Sequence, residues 1–289
     1  MKLHDTQITK YLTFCKSQKC LDVKTIRAYK IDLTHFASTM PAETSLYDIA
    51  SRQIESYIAH LHSIYKPKTA KRKIASLKAF FHYCEFYEFI ERNPFDKIQI
   101  RFREPVILPK TIPLQTLELF LSTIYNQRQL ATTSYQQKNA LRDAAVIELL
   151  FATGIRISEL CSLKSCDVNL NDNFVLIYGK GSKERKLQIG NDNVLETLNE
   201  YKNTFSKEIE NCGHFFANQS RKPLSDQSVR RMIQKYASLA GIDQHITPHM
   251  FRHTFASSLL DADVDIRYIQ EMLGHSSITT TQIYTHVTL

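Results

Sequence analysis

The sequence predicts a mainly α-helical protein of two domains, the second carrying one small antiparallel β-sheet. Three observations predict it. A chain of 289 residues is long enough for two domains, each burying its own core. Apolar residues recur at helical spacing through most of the chain. Only one place, "NFVLIYG" and "RKLQIG" on either side of "KGSKE", shows paired strand-like runs about a turn.

The elements follow in order. "VKTIRAYKIDLTHFAS" sets Ile26, Tyr29, Leu33 and Phe36 on one helical stripe. "TAKRKIASLKAFFHYCEFYEFIERNP" sets Ile74, Leu77, Phe81 and Cys84 on another and is expected to stop at Asn93-Pro94. Phe80, Phe81 and Tyr87 read as core aromatics. "REPVILPKTIP" has three prolines and no periodicity, so residues 104–113 read as an extended linker between a domain at 1–103 and one at 114–289. "DAAVIELLFATG" is an apolar helix stopped by Gly154, and "IRISELCSL" a second helix. The hairpin follows, with Lys180, Lys183, Arg185 and Lys186 at or near its tip, and helices resume from about Val194. "TPHMFRHTFASSLL" is an amphipathic helix with a threonine cap and a proline in its first turn. "DADVD", Asp261 to Asp265, reads as a polar turn that ends one helix and caps the next.

Charge is distributed unevenly. Residues 1–103 hold 18 Lys and Arg against 10 Asp and Glu, a surplus of 8, whereas residues 104–289 hold 19 of each. A basic domain joined to a neutral one suggests a clamp on a polyanion. Lys66, Lys68, Lys71, Arg72 and Lys73 gather at the start of a helix, where positive charge opposes the macrodipole but suits a phosphate-facing end. No apolar run reaches about eighteen residues, so no membrane span is expected, and "MKLHDTQITK" lacks the apolar core of a secretory signal. The six cysteines form no CxxC pair and have no histidines at zinc-finger spacing; free thiols in a reducing cytoplasm are expected.

Several chemistries are excluded by spacing. "GKGSK" is not a phosphate-binding P-loop, because its glycines are wrongly spaced and it lies between strands. "DADVD" imitates a calcium loop but has Ile266 where glycine is needed and Met272 where the closing glutamate belongs. HExxH is absent, and no carboxylate set suits two-metal hydrolysis, so neither metal nor other cofactor is expected. What remains is Arg156, just past Gly154; Lys180; His249 and Arg252 on one helix face; His275 in "LGHSS"; and Tyr284 in "TQIYTH". This is a kit for metal-free phosphoryl transfer. Guanidiniums hold non-bridging oxygens by paired hydrogen bonds, and a tyrosine supplies a nucleophile that leaves a phosphoester.

"LRDAAVIELLFATGIRISELCSL", "YGKGSKERKLQIG", "HMFRHTFAS" and "LGHSSITTTQIYTH", in that order, resemble the catalytic boxes of the tyrosine recombinases, the phage-integrase family, and are most similar to its Xer-type members. "KTIRAYKIDLTHF" and "KTAKRKIASLKAFFHYCEFYEFIERNP" resemble the family's helical core-binding domain. The resemblance spans nearly the whole chain. It implies a C-shaped clamp on DNA and a site-specific recombinase that works through a covalent 3′-phosphotyrosyl intermediate without metal or ATP. Arg156 and Arg252 would grip the scissile phosphate, Lys180 would protonate the leaving 5′ oxygen, and His249 would move the proton of Tyr284. His275 would hydrogen-bond a non-bridging oxygen, Tyr284 would attack phosphorus, and Glu159 would support the site. His253 fits a structural role, and Lys183 is the alternative to Lys180. The implied partners are double-stranded DNA with a specific site and a homo- or hetero-tetramer, with no membrane. Only five residues follow Tyr284, too few for the helix with which many members dock on a neighbour, so another assembly surface or a shortened form is expected. A type IB topoisomerase-like relaxase with the same residues, or a DNA-binding module without catalysis, are the alternatives.

Overall fold

A computed structural model describes residues 3–41, 44–100, 108–179, 184–275 and 281. The chain divides into two compact units, Met1–Val106 and Ile107–Leu289. Among the described residues no helix is long and apolar enough to cross a membrane, and all six cysteines are free thiols.

The first unit contains α1 (Leu3–Ser17), α2 (Val23–Thr39), α3 (Ser51–Ile64) and α4 (Pro67–Phe86). Leu33 and Phe36 of α2 and Ile74, Leu77, Phe80, Phe81 and Cys84 of α4 are buried in one core, with Ile26 and Tyr29 packed at its edge. Helix α4 ends sooner than its periodicity suggests. Glu88 takes a left-handed backbone (φ 56°), and the Phe89 N–H turns back to the Cys84 carbonyl at 2.7 Å. After the reversal, Ile90 and Phe95 are buried in the same core. Tyr87, expected inside, is 39% exposed and rests against the rings of Tyr83 and Phe14.

The stretch 108–113 is extended but is not free as a linker would be, and residues 104–107 lie outside the described residues. Ile112 is buried in the second unit, its N–H donating to Thr254 Oγ1 at 2.8 Å, and Gln244 donates to the Thr111 carbonyl. Pro113 then caps α5 (Leu114–Gln129). Helix α6 (Ser134–Thr153) is buried along most of its length and ends at Gly154, whose φ of 58° and close approach to the Phe255 ring leave no room for a Cβ. Next come α7 (Ile157–Ser162) and a three-stranded antiparallel sheet: β1 (Val168–Asn169), β2 (Phe174–Tyr178) and β3 (Glu184–Gln188), in the order β1-β2-β3. The hairpin was expected; the short β1, which pairs Val168 with Val175, was not. In the β2–β3 register Val175 faces Leu187 and Ile177 faces Arg185. Strand alternation therefore puts Arg185 on the same inward face as buried Leu187.

Helices α8 (Asp192–Thr204), α9 (Ser206–Cys212), α10 (Asp226–Leu239), α11 (Pro248–Asp261) and α12 (Ile266–Leu273) complete the described elements. Helix α11 buries Met250 and Phe251 in the main core, while Phe255, Leu259 and Leu260 pack with Ile269 and Leu273 of α12 in a smaller cluster. Thr247 occupies the N-cap of α11 but makes no side-chain cap bond. Asp265 does cap α12, accepting from the Arg267 N–H at 2.7 Å, as the reading of "DADVD" anticipated.

Candidate active site

Two tight turns place the site. After Gly154 the chain buries Ile155 and sets Arg156 at the N-cap of α7. Glu159, three residues on, reaches back to accept the Arg156 N–H at 2.8 Å, the acidic half of a capping box. Its Oε1 also accepts from Arg156 Nη1 at 2.8 Å. At the other turn, Gly274 ends α12 with φ 62°, and the His275 N–H donates to the Gln270 carbonyl at 3.0 Å. The left-handed backbone favours glycine at 274, and a Cβ there would stand 3.0 Å from Arg185 Nη1 and crowd that side chain.

The end of α12 is where the cations converge. The last carbonyls of a helix lack intrahelical partners and carry the negative end of its dipole. Three successive ones are taken by three arginines from three other elements. Arg185 Nε of β3 donates to the Met272 carbonyl at 2.8 Å, Arg252 Nη2 of α11 to that of Leu273, and Arg156 Nη2 to that of Gly274 at 3.2 Å. Arg252, 4% exposed, also donates to the Gly154 carbonyl at 2.8 Å, which ties α11 to the first turn. Arg185 grips both oxygens of buried Glu159, at 3.1 and 2.6 Å. These bonds outweigh the cost of burying the carboxylate and hold the Glu159 pKa below its ordinary value.

The imidazoles respond in the opposite sense. Burial, reinforced by Arg252 and Arg156, lowers His275 to about 4. Burial, then His249 and Arg252, lowers His253 to about 4. His249 is lowered by burial and by Arg230, Arg252 and Arg156. All three are neutral at pH 7, able to accept a proton or to donate one hydrogen bond. His275 Nδ1 lies 2.9 Å from Thr281 Oγ1.

The structure thus brings Arg156, Glu159, His249, Arg252 and His275 together. Lys180 and Tyr284, with Lys183, lie outside the described residues. Arg185 belongs to this group and was not singled out from the sequence, where it counted only as basic charge near the hairpin. The available signal was the strand period, since in "ERKLQ" a residue two before an inward Leu187 must also point in.

In the first unit, Lys66, Lys68, Lys71 and Arg72 are exposed. Lys73 is corrected: it is 5% exposed, its ammonium 3.3 Å from Asp32 Oδ1 and over the Tyr65 ring. Asp32, itself buried, needs cations from α4, and Lys73 lies on the core-facing side of that helix.

Residues 124–289 match the model of the phage integrase family, and residues 8–85 that of the phage integrase N-terminal SAM-like domain. The chain belongs to the phage integrase family, the tyrosine recombinases. A tyrosine recombinase of Agathobacter rectalis is 68% identical over 98% of this chain and 92% of that protein. The tyrosine recombinase XerD of Listeria innocua is 35% identical over 97% of this chain and 94% of that protein. Among solved structures, the XerH site-specific recombinase bound to difH substrate, a pre-cleavage complex, superposes with a TM-score of 0.75 at 24% identity, covering 97% of this chain and 81% of that one. The protein is an enzyme of site-specific recombination, and neither a relaxase nor a non-catalytic binding module is favoured.

Proposed function

We propose that this recombinase cleaves and rejoins duplex DNA at a specific site by transesterification through Tyr284, and that Arg156 and Arg252 bind the scissile phosphate. The observation that carries this reading is the convergence of both guanidiniums on adjacent carbonyls at the end of α12, beside neutral His249 and His275. Charge accumulates on the non-bridging oxygens as phosphorus becomes pentavalent, and fixed guanidiniums stabilise it without reorganising. Tyr284 Oη attacks phosphorus while His249 accepts its proton. The bond to the 5′ oxygen breaks, Lys180 protonates that oxygen, and a 3′-phosphotyrosyl ester remains. His275 donates one hydrogen bond to a non-bridging oxygen. Glu159 is committed to two arginines and serves their placement. Attack by a 5′ hydroxyl on the tyrosyl ester reverses the chemistry, so phosphate bond energy is conserved and neither nucleotide nor metal is required. Exchange of two duplexes cuts four strands, which calls for four protomers on the DNA. The substrate places the enzyme in the cytoplasm.

The test is covalent trapping. Nicked duplexes from a random-sequence library are incubated with the full chain in excess chelator, and DNA attached to protein is sequenced. Wild type forms an adduct at one enriched site, and Tyr284→Phe binds that site without forming it. An adduct surviving in Tyr284→Phe, or one abolished by chelator, overturns the proposal.

A further inference from the structure

Arg185 lies outside the group that touches phosphate in the reading above, yet every nitrogen of its guanidinium is engaged. Its side chain is 8% exposed. Nε is spent on the Met272 carbonyl, and both terminal nitrogens are spent on Glu159. A carboxylate offers two oxygens, and guanidinium pairs with it most strongly when both are engaged in a fork. Arg185 takes that fork. Arg156 is left with a single bond from its guanidinium to Oε1, which is shared with Arg185, and keeps 34% of its side chain exposed.

We infer that Arg185 is a positioning residue for strand cleavage: by occupying both oxygens of Glu159 it stops that carboxylate from capturing Arg156 in a fork of its own, and so keeps the Arg156 guanidinium presented to phosphate. The inference rests on the role proposed for Arg156. Without Arg185, Glu159 carries an unshared negative charge beside Arg156. The favoured arrangement is then a closed Arg156–Glu159 fork that competes with the DNA phosphate. The placement of Arg185 on β3 also fastens the strand that follows the Lys180 segment to the end of α12, so one side chain links the hairpin, α7 and the turn bearing His275.

Competition makes a prediction that a merely structural role does not: removing the competitor should repair the loss. Single-turnover cleavage is measured at saturating protein on the nicked duplex recovered by covalent trapping. Arg185→Ala is expected to slow adduct formation by about a hundredfold, the scale of a misplaced catalytic group. Glu159→Gln, which keeps an acceptor for the Arg156 N–H but no charge, is expected to slow it by about tenfold. The double variant should match Glu159→Gln, running about tenfold faster than Arg185→Ala. If Arg185→Ala melts below the assay temperature, Arg185→Lys, which keeps the charge but cannot form the fork, is expected to be slowed and to be rescued by Glu159→Gln in the same way. Wild-type rates in the Arg185 variants would overturn the inference. So would losses that multiply in the double variant. Failure of wild type to form any adduct would bring down the reading of Arg156 and this inference with it; adduct formation that depends on Arg156 but not on Arg185 would bring down the inference alone.

Discussion

Asp32 and Glu159 are the same kind of object in two units of the chain. Each is a buried carboxylate held by two cations. Asp32 of α2 is gripped at both oxygens by Arg72, at Oδ1 by Lys73 and at Oδ2 by the Ser76 hydroxyl, all from α4. Glu159 of α7 is gripped at both oxygens by Arg185 of β3, and it also accepts from the Arg156 guanidinium at Oε1 and from the Arg156 N–H at Oε2. The difference lies in where the partners come from. The partners of Asp32 all belong to one helix, so the cluster fastens α2 to α4. The partners of Glu159 come from a strand and from a helix N-cap, and both partners reach onward to the carbonyls ending α12. A carboxylate whose cations stop at it is a clamp. One whose cations continue past it also fixes the direction of their guanidiniums, which in the function proposed above serves to hold a phosphate.

This comparison can be broken most forcefully at Arg156. Arg156→Ala removes the hydrogen-bond donor that the proposed function places on the scissile phosphate, and it is expected to slow cleavage by at least about a hundredfold, with DNA affinity changed far less. Comparable losses of affinity and rate, measured by binding isotherms and single-turnover kinetics, would make it a binding residue only.

Lys73 sharpens the other side. Lys73→Met should cost about 1–3 kcal/mol in urea denaturation, because Asp32 loses a charged partner in a buried setting. The slope of log affinity against log salt should stay unchanged, since no counterion is released by a buried ammonium. A shallower slope would return Lys73 to the DNA.

A smaller effect follows from the imidazoles. His253 and His275 titrate near 4 in the folded chain against an ordinary 6.5. The unfolded chain therefore binds their protons first as pH falls. The stability they contribute is complete above about pH 6.5 and is lost as pH drops from there towards 4. The second unit should melt at progressively lower temperature across that window, and His253→Gln should flatten the dependence. An unchanged profile would mean the ring of His253 is not desolvated.

Much of the fold was legible because its signals are local. Stripes of period 3.6 marked α2 and α4, a strongly apolar run marked the second half of α6, Gly154 marked its end, and the aspartates of "DADVD" marked the junction of α11 and α12. The misses came from tertiary demands. Helix α4 ends at Phe86 because the core needs Ile90 and Phe95, and a non-glycine residue, Glu88, bears the reversal. Strand β1 is two residues long, too short to show a period. The grouping of Arg156, His249, Arg252 and His275 was readable only through the order of four motifs, since more than a hundred residues separate the first from the last. Lys73 and Arg185 were misjudged for one reason. Clustered positive charge reads as surface, and a buried carboxylate elsewhere in the chain is invisible to that reading.

The central claim is that both carboxylate clusters hold structure but only one sets the rate of chemistry. It is tested by measuring single-turnover cleavage of the trapped site with Asp32→Asn and Glu159→Gln, each at saturating protein and at a temperature where thermal melts show both variants fully folded. The account predicts a wild-type rate for Asp32→Asn and a rate about tenfold lower for Glu159→Gln, the scale of one charge-assisted hydrogen bond lost from the arginines that Glu159 places. Equal rates in the two variants, or a slower reaction in Asp32→Asn, would contradict it.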